Sequence, residues 1–157
     1  MFKCFYNSVK PDNTEITADF IHSEWMKRNP KQDYNASQHV SYYLLNNTEK
    51  QKDRDQINII KTLITANPIS ENMTYHDYFE KIANIFGSIA HEKWRNEYEQ
   101  TCGVGKTRIK NVSSGGQVNI NCSWNELHLE WKKENLEAGH AAVYAYYKFM
   151  VPITNKQ

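Results

Sequence analysis

Ten residues, FIHSEWMKRN at positions 20–29, return in altered form as SIAHEKWRNE at positions 88–97. Both contain His-x-x-Trp near the end of a helical run, and His22 and Trp25 stand 69 residues before His91 and Trp94. A second pair of segments follows in the same order. SYYLLNNTEKQKDR and SWNELHLEWKKEN each give a Ser-aromatic step, a leucine three residues after the aromatic, and a lysine-rich helix start. Tyr42 and Trp124 are 82 residues apart, as are Leu45 and Leu127, so one linker has grown by about the length of a hairpin. An internal repeat constrains the fold more than local propensity does, because each unit buries its apolar face by packing on its neighbour. The expectation is two helix, irregular linker, helix repeats, residues 1–68 and 69–157, packed about a pseudo-twofold axis as one compact domain.

Periodicity and punctuation predict four helices and a hairpin. The first covers 14–28, with Ile16, Phe20, Ile21 and Trp25 on one stripe, and stops before Pro30. The second covers 48–66, opened by a Thr48-x-x-Gln51 capping box, with Ile57, Ile60, Leu63 and Ile64 inward. The third starts at a Thr74-x-x-Asp77 cap and runs to about Glu99 on Tyr75, Tyr78, Phe79, Ile82, Ile85, Phe86 and Ile89. Gly87 weakens its middle. TRIKNV and QVNIN alternate at period two around Ser113-Ser114-Gly115-Gly116, which reads as a hairpin. The fourth helix, 129–150, turns Trp131, Ala138, Ala142, Tyr146 and Phe149 inward and ends before Pro152. The fold class expected is therefore mainly α with a small β-hairpin.

The loop CGVGKTRIK at 102–110 ends like a phosphate-binding loop, but Gln100 stands where that motif needs its first glycine. It also lacks the preceding buried strand, so no hydrolytic P-loop is expected. A phosphate contact is still expected there. Lys106, Arg108 and Lys110 alternate, which on a strand puts them on one face, and the Gly-Val-Gly turn offers backbone N–H groups beside them. The competing reading is a solvated edge strand guarded by lysine. Trp25 with Arg28, and Trp94 with Arg95, pair a ring that stacks on a base with a guanidinium that reaches a phosphate. Tyr43 joins them as a further candidate ring. Each tryptophan at helical spacing also reads as core, and His22 and His91, one turn before them, read as structural.

Composition excludes several classes. A net charge of +1 argues against a general nucleic-acid or anionic-membrane binder, which needs a large positive excess. No apolar run reaches bilayer length and the first residues lack an apolar signal core, so a soluble cytoplasmic protein is expected. Cys4, Cys102 and Cys122 share no Cys-x-x-Cys spacing, and the histidines have no metal-ligand spacing, so no disulfide framework, metal or cofactor is expected. No nucleophile, base and orienter stand in a recognisable order, so no enzyme is expected.

His91-Glu92-Lys93-Trp94, then Arg108, then Trp124-x-x-Leu127, then Lys132-x-Glu134-Asn135 resembles the layout of the ryanodine-receptor repeat (RyR domain) family. The first half offers His22-Ser23-Glu24-Trp25, Tyr42-x-x-Leu45 and Lys50-x-x-Asp53-Arg54. That family occurs in the calcium-release channel and as free-standing modules in bacteria and phages. The resemblance implies a helical, non-enzymatic module whose paired repeats hold an adenine nucleotide between them, with tryptophans against the base. The function expected from it is sequestration or sensing of an adenine-containing or cyclic nucleotide signal, as in a phage sponge against bacterial immune signalling. The alternative is a protein-interaction module acting through the aromatic C-terminal helix, where Gly139, Ala141 and Ala142 would admit a second copy in a homo-oligomer.

Overall fold

The computed structural model describes residues 12–151. Cys4 and Pro152 therefore lie outside the described residues. The chain is mainly α with one two-stranded antiparallel sheet. The helices are α1 (Asp12–Arg28), α2 (Asn47–Ala66), α3 (Tyr75–Cys102) and α4 (Leu129–Ala145); short 3-10 turns lie between α1 and α2 and just before α4, and α4 runs on into a π turn, Tyr146–Met150. Strands β1 (Ile109–Asn111) and β2 (Gln117–Asn119) pair between α3 and α4 with Lys110 opposite Val118.

Helix α1 buries a different face from the one its hydrophobicity predicts. Thr17 and Ala18 are fully buried with Ile21 and His22, whereas Ile16 is 43% exposed. The Thr17 hydroxyl donates to the Asn13 carbonyl at 2.6 Å, which removes the cost of burying it. Helix α2 is capped by Asn46, whose side chain accepts from the Glu49 N–H, rather than by the expected Thr48 box. Helix α3 starts as expected, with Thr74 accepting from the Asp77 N–H at 3.1 Å.

Gly87 sits where α3 meets Trp124. A Cβ there would come within 2.7 Å of the indole, so the glycine is required by tertiary contact. Gly139 is used the same way: its Cβ would lie 2.8 Å from the Ala83 carbonyl of α3. Of the small residues expected to admit a second copy, Gly139 serves a close approach within the chain and Ala142 is buried in the core, while Ala141 is part-exposed.

One core draws on both halves. Ile21, Tyr42, Ile57 and Ile60 pack in the same cluster as Tyr78, Ile82, Phe86 and Val143. Each such buried side chain contributes about 1.5–3 kcal/mol. A smaller cluster, Ile120, Trp124 and Leu127 with Trp94 and Trp131 against it, sits beneath the hairpin.

The local geometry of the two halves recurs residue by residue. A His22 ring N–H donates to the Val40 carbonyl at 2.8 Å and a His91 ring N–H to the Cys122 carbonyl at 2.7 Å. Tyr42 and Trp124 each open a 3-10 turn that closes at Leu45 and Leu127. The Tyr42 hydroxyl donates to Glu15 at 3.0 Å, and the Trp124 indole donates to Asn84 at 3.3 Å. Lys50 lies 5.6 Å over the Tyr42 ring and Lys132 lies 5.3 Å over the Trp124 ring. Every one of these pairs keeps the same two sequence offsets, 69 before the linker and 82 after it.

Candidate functional site

Trp25 and Trp94, at matched positions of the two units, wall one groove of about 430 Å³. Arg28, three residues after Trp25 and so on the same face of α1, lines it as well. Helix α2 adds Lys52, Asp55 and Gln56, α3 adds Lys93 and Glu97, and α4 adds Glu134 and Asn135. Arg28 donates to Glu134 at 3.4 Å, and Lys52 is held by Glu49 at 3.0 Å. Lys93 forms no ion pair among the described residues.

Both indoles are braced from their own helix. Trp25 stacks on His22, with centroids 5.7 Å apart and planes within 13°, while His39 meets it tilted at 51°. Trp94 has nearly parallel rings one turn to either side, His91 at 5.9 Å and Tyr98 at 5.1 Å. It also packs against the hairpin cluster. The two tryptophans share a groove but are not equivalent within it.

The remaining sequence-predicted residues do not join them. Arg95, one position on from Trp94, turns about 100° round the helix, where it donates to Asn121 at 3.1 Å and pairs with Glu92. Tyr43 is 53% exposed and stands edge-on to Tyr42, away from the groove. Lys106 and Arg108 precede β1 on exposed irregular chain, so the period-two argument that gave them one face with Lys110 does not hold. Their backbones are pinned by asparagines: Asn121 donates to the Lys106 carbonyl, and the Arg108 N–H donates to Asn119. The Gly-Val-Gly turn is answered from within. The Gly105 N–H donates to the Glu99 carboxylate at 2.9 Å, and Asn121 donates to the same oxygen at 3.0 Å. Asn121 and that N–H hold the Glu99 carboxyl below its ordinary range, so the place of a phosphate is taken by a side chain.

A smaller cavity of about 210 Å³ adjoins the groove, and Trp25, Lys52 and Gln56 line both. Its other walls are His22, Gln38, Leu45, Glu49 and Asp53. Asp53 is 7% exposed, and no side-chain hydrogen bond within the described residues reaches it; His22 Nδ1 stands 3.7 Å from one of its oxygens. Burial first, and then Glu49, push its carboxyl up to about 7. The position 82 residues on is Asn135.

Sequence reasoning passed over Lys52, Lys93 and Asp53. The signal for the first was its spacing: Lys52, Gln56 and Ile59 flank the buried run Asp53, Ile57, Ile60 at helical intervals. Lys93 precedes Trp94 directly, and Asp53 lies inside the second repeated segment.

Among the described residues no group of three or more His, Cys, Asp or Glu side chains is placed to hold a metal ion. No described helix is long and apolar enough to cross a membrane. Comparison with known family models, curated proteins and solved structures finds no match for this chain.

Proposed function

We propose that this protein is a non-enzymatic nucleotide-binding module that sequesters or senses a small phosphorylated ligand, adenine-containing or cyclic, in the groove between its two units. The observation that carries the reading is the meeting of Trp25 and Trp94 in one groove with Arg28, Lys52 and Lys93. A groove of about 430 Å³ falls within the ~300–1,000 Å³ typical of ligand sites. Packing of the two units about a pseudo-twofold axis would set their tryptophans face to face across such a seam. We assign the module to the cytoplasm, where soluble nucleotide signals are met.

Trp25 is the ring that stacks on the base, since only one of its neighbours lies parallel to it. Arg28, Lys52 and Lys93 meet the phosphates, Arg28 giving up a long, part-buried pair with Glu134 and Lys52 a surface pair with Glu49 worth about 0–1 kcal/mol. The basic hairpin and the glycine turn have no part in this version of the site.

A thermal-shift panel tests it, using ADP, ATP, cyclic dinucleotides and cyclic ADP-ribose isomers at millimolar concentration. A ligand present at a hundred times its Kd adds about 2.7 kcal/mol of apparent stability, and Trp25→Ala should abolish that gain without loss of helicity. No shift with any member of the panel overturns the reading.

A further inference from the structure

Once Asp53 is ionised, above about pH 7, two acceptors converge on the small cavity beside Trp25. The Val40 carbonyl cannot donate, so His22 Nε2 carries a proton. In the neutral ring that leaves Nδ1 with a lone pair, and it faces a carboxylate oxygen of Asp53 at 3.7 Å. At that distance there is no direct hydrogen bond. Of the other polar walls, Gln38 donates to Glu49 at 3.0 Å and Lys52 donates to the same carboxylate at 3.0 Å, while Gln56 makes no side-chain hydrogen bond among the described residues. A guest that brings N–H groups meets both acceptors. The cavity, at about 210 Å³, is too small for a whole nucleotide and large enough for part of one.

Asp53 is also not demanded by the fold. The equivalent place in the second unit is filled by Asn135, which has nearly the same shape and no charge. A largely buried carboxylate that meets only the cavity, with no protein donor, works against stability once ionised, so its presence points to a use.

We propose that this cavity receives the amino-bearing edge of the base of a nucleotide held in the adjoining groove, Asp53 and His22 Nδ1 accepting its N–H groups. The proposal rests on the nucleotide reading above and adds a selectivity to it. Bases with an exocyclic amine are accepted, and bases with a carbonyl in that place are refused, because the carbonyl would face two acceptors.

Isothermal titration at pH 8, where Asp53 is ionised, with two matched pairs, ATP against ITP and CTP against UTP, tests this on the full chain. In each pair an amine is exchanged for a carbonyl and the adjacent ring nitrogen gains a hydrogen, so the donor moves from the exocyclic position into the ring. The expected result is tighter binding of ATP and CTP by about ten- to a hundredfold, the range of one hydrogen bond to a charged group. Asp53→Asn, which carries both a donor and an acceptor, should erase the preference while ITP and UTP bind as well as before or better. Equal affinities within each pair in the unaltered protein overturn the proposal and leave the nucleotide reading standing, as does a preference that survives in Asp53→Asn. Arginine amide serves as a control that brings N–H groups without a base. A response to it with no discrimination between ATP and ITP assigns the cavity to a cationic side chain instead. Binding of none of the four nucleotides overturns the nucleotide reading, and this selectivity with it.

Discussion

Asp53 has a pH signature whatever it binds. Its ordinary value of 3.8 belongs to the unfolded chain, and burial raises it to about 7 in the folded one. Between those values the native state keeps a proton that the unfolded state has lost, so this group's contribution to stability falls as pH rises through that window. Above about 7 the contribution is gone. A shift of this size corresponds to at most about 4 kcal/mol, and losing the His22 contact offsets part of it. Asp53→Asn should therefore raise Tm at pH 8 by about 5 °C, and by much less at pH 4, read from thermal melts across the range. A gap between the two proteins that does not widen with pH would show that Asp53 stays charged in the fold. The two tryptophans separate at the same scale. Trp94→Ala removes a ring packed between His91 and Tyr98 and against the hairpin cluster, and should cost about 3–5 kcal/mol of stability in denaturant melts.

Helices α3 and α4 are held close by residues that have almost no side chain. On an exposed helix, Gly→Ala stabilises by about 1 kcal/mol. At Gly139 the sign should reverse, because the new Cβ would meet the Ala83 carbonyl at 2.8 Å and its Cα at 2.9 Å, and backbone cannot swing aside. Gly139→Ala is expected to lose about 1–3 kcal/mol, measured as a lower denaturant midpoint with unchanged slope. The hairpin is tied to α4 differently: Ser113 donates both its N–H and its hydroxyl to Glu130, and this holds the Glu130 carboxyl below its ordinary range. The connector at 31–38 gains order from Asn35, which accepts from the Gln32 N–H and donates to the Pro30 carbonyl. That is how a segment read as a polar linker becomes a fixed part of the cavity wall through Gln38.

The main core crosses the boundary between the two halves, so the described residues are expected to unfold as one cooperative unit. Residues 12–68 expressed alone would leave Ile57, Ile60 and Leu63 without Tyr78, Ile82 and Phe86 to cover them. Such a fragment should be largely unfolded by far-UV circular dichroism and should gain helix when mixed with residues 69–151. A first half that melts cooperatively by itself would contradict a shared core.

The sequence alone determined the helices, the hairpin and the paired offsets, because each rests on spacing that the chain carries locally: caps at Thr74, apolar runs such as Ile57, Ile60 and Leu63, and glycines at the turn. It also named the two tryptophans and Arg28. What it could not determine was which charges would meet those rings. Lys106, Arg108 and Lys110 looked like a face only while all three were assumed to lie on one strand, and Arg95 looked free because Asn121 had not yet been brought to it and its i,i+3 neighbour Glu92 was passed over. The glycine turn looked open to phosphate because spacing does not show that the chain folds back on Glu99, six residues before Gly105, or that Asn121 joins it there. Tertiary packing decided these points, and it placed Asp53 beside His22 at the mouth of a cavity, since hydrogen-bond partners and burial belong to neighbours distant in the chain.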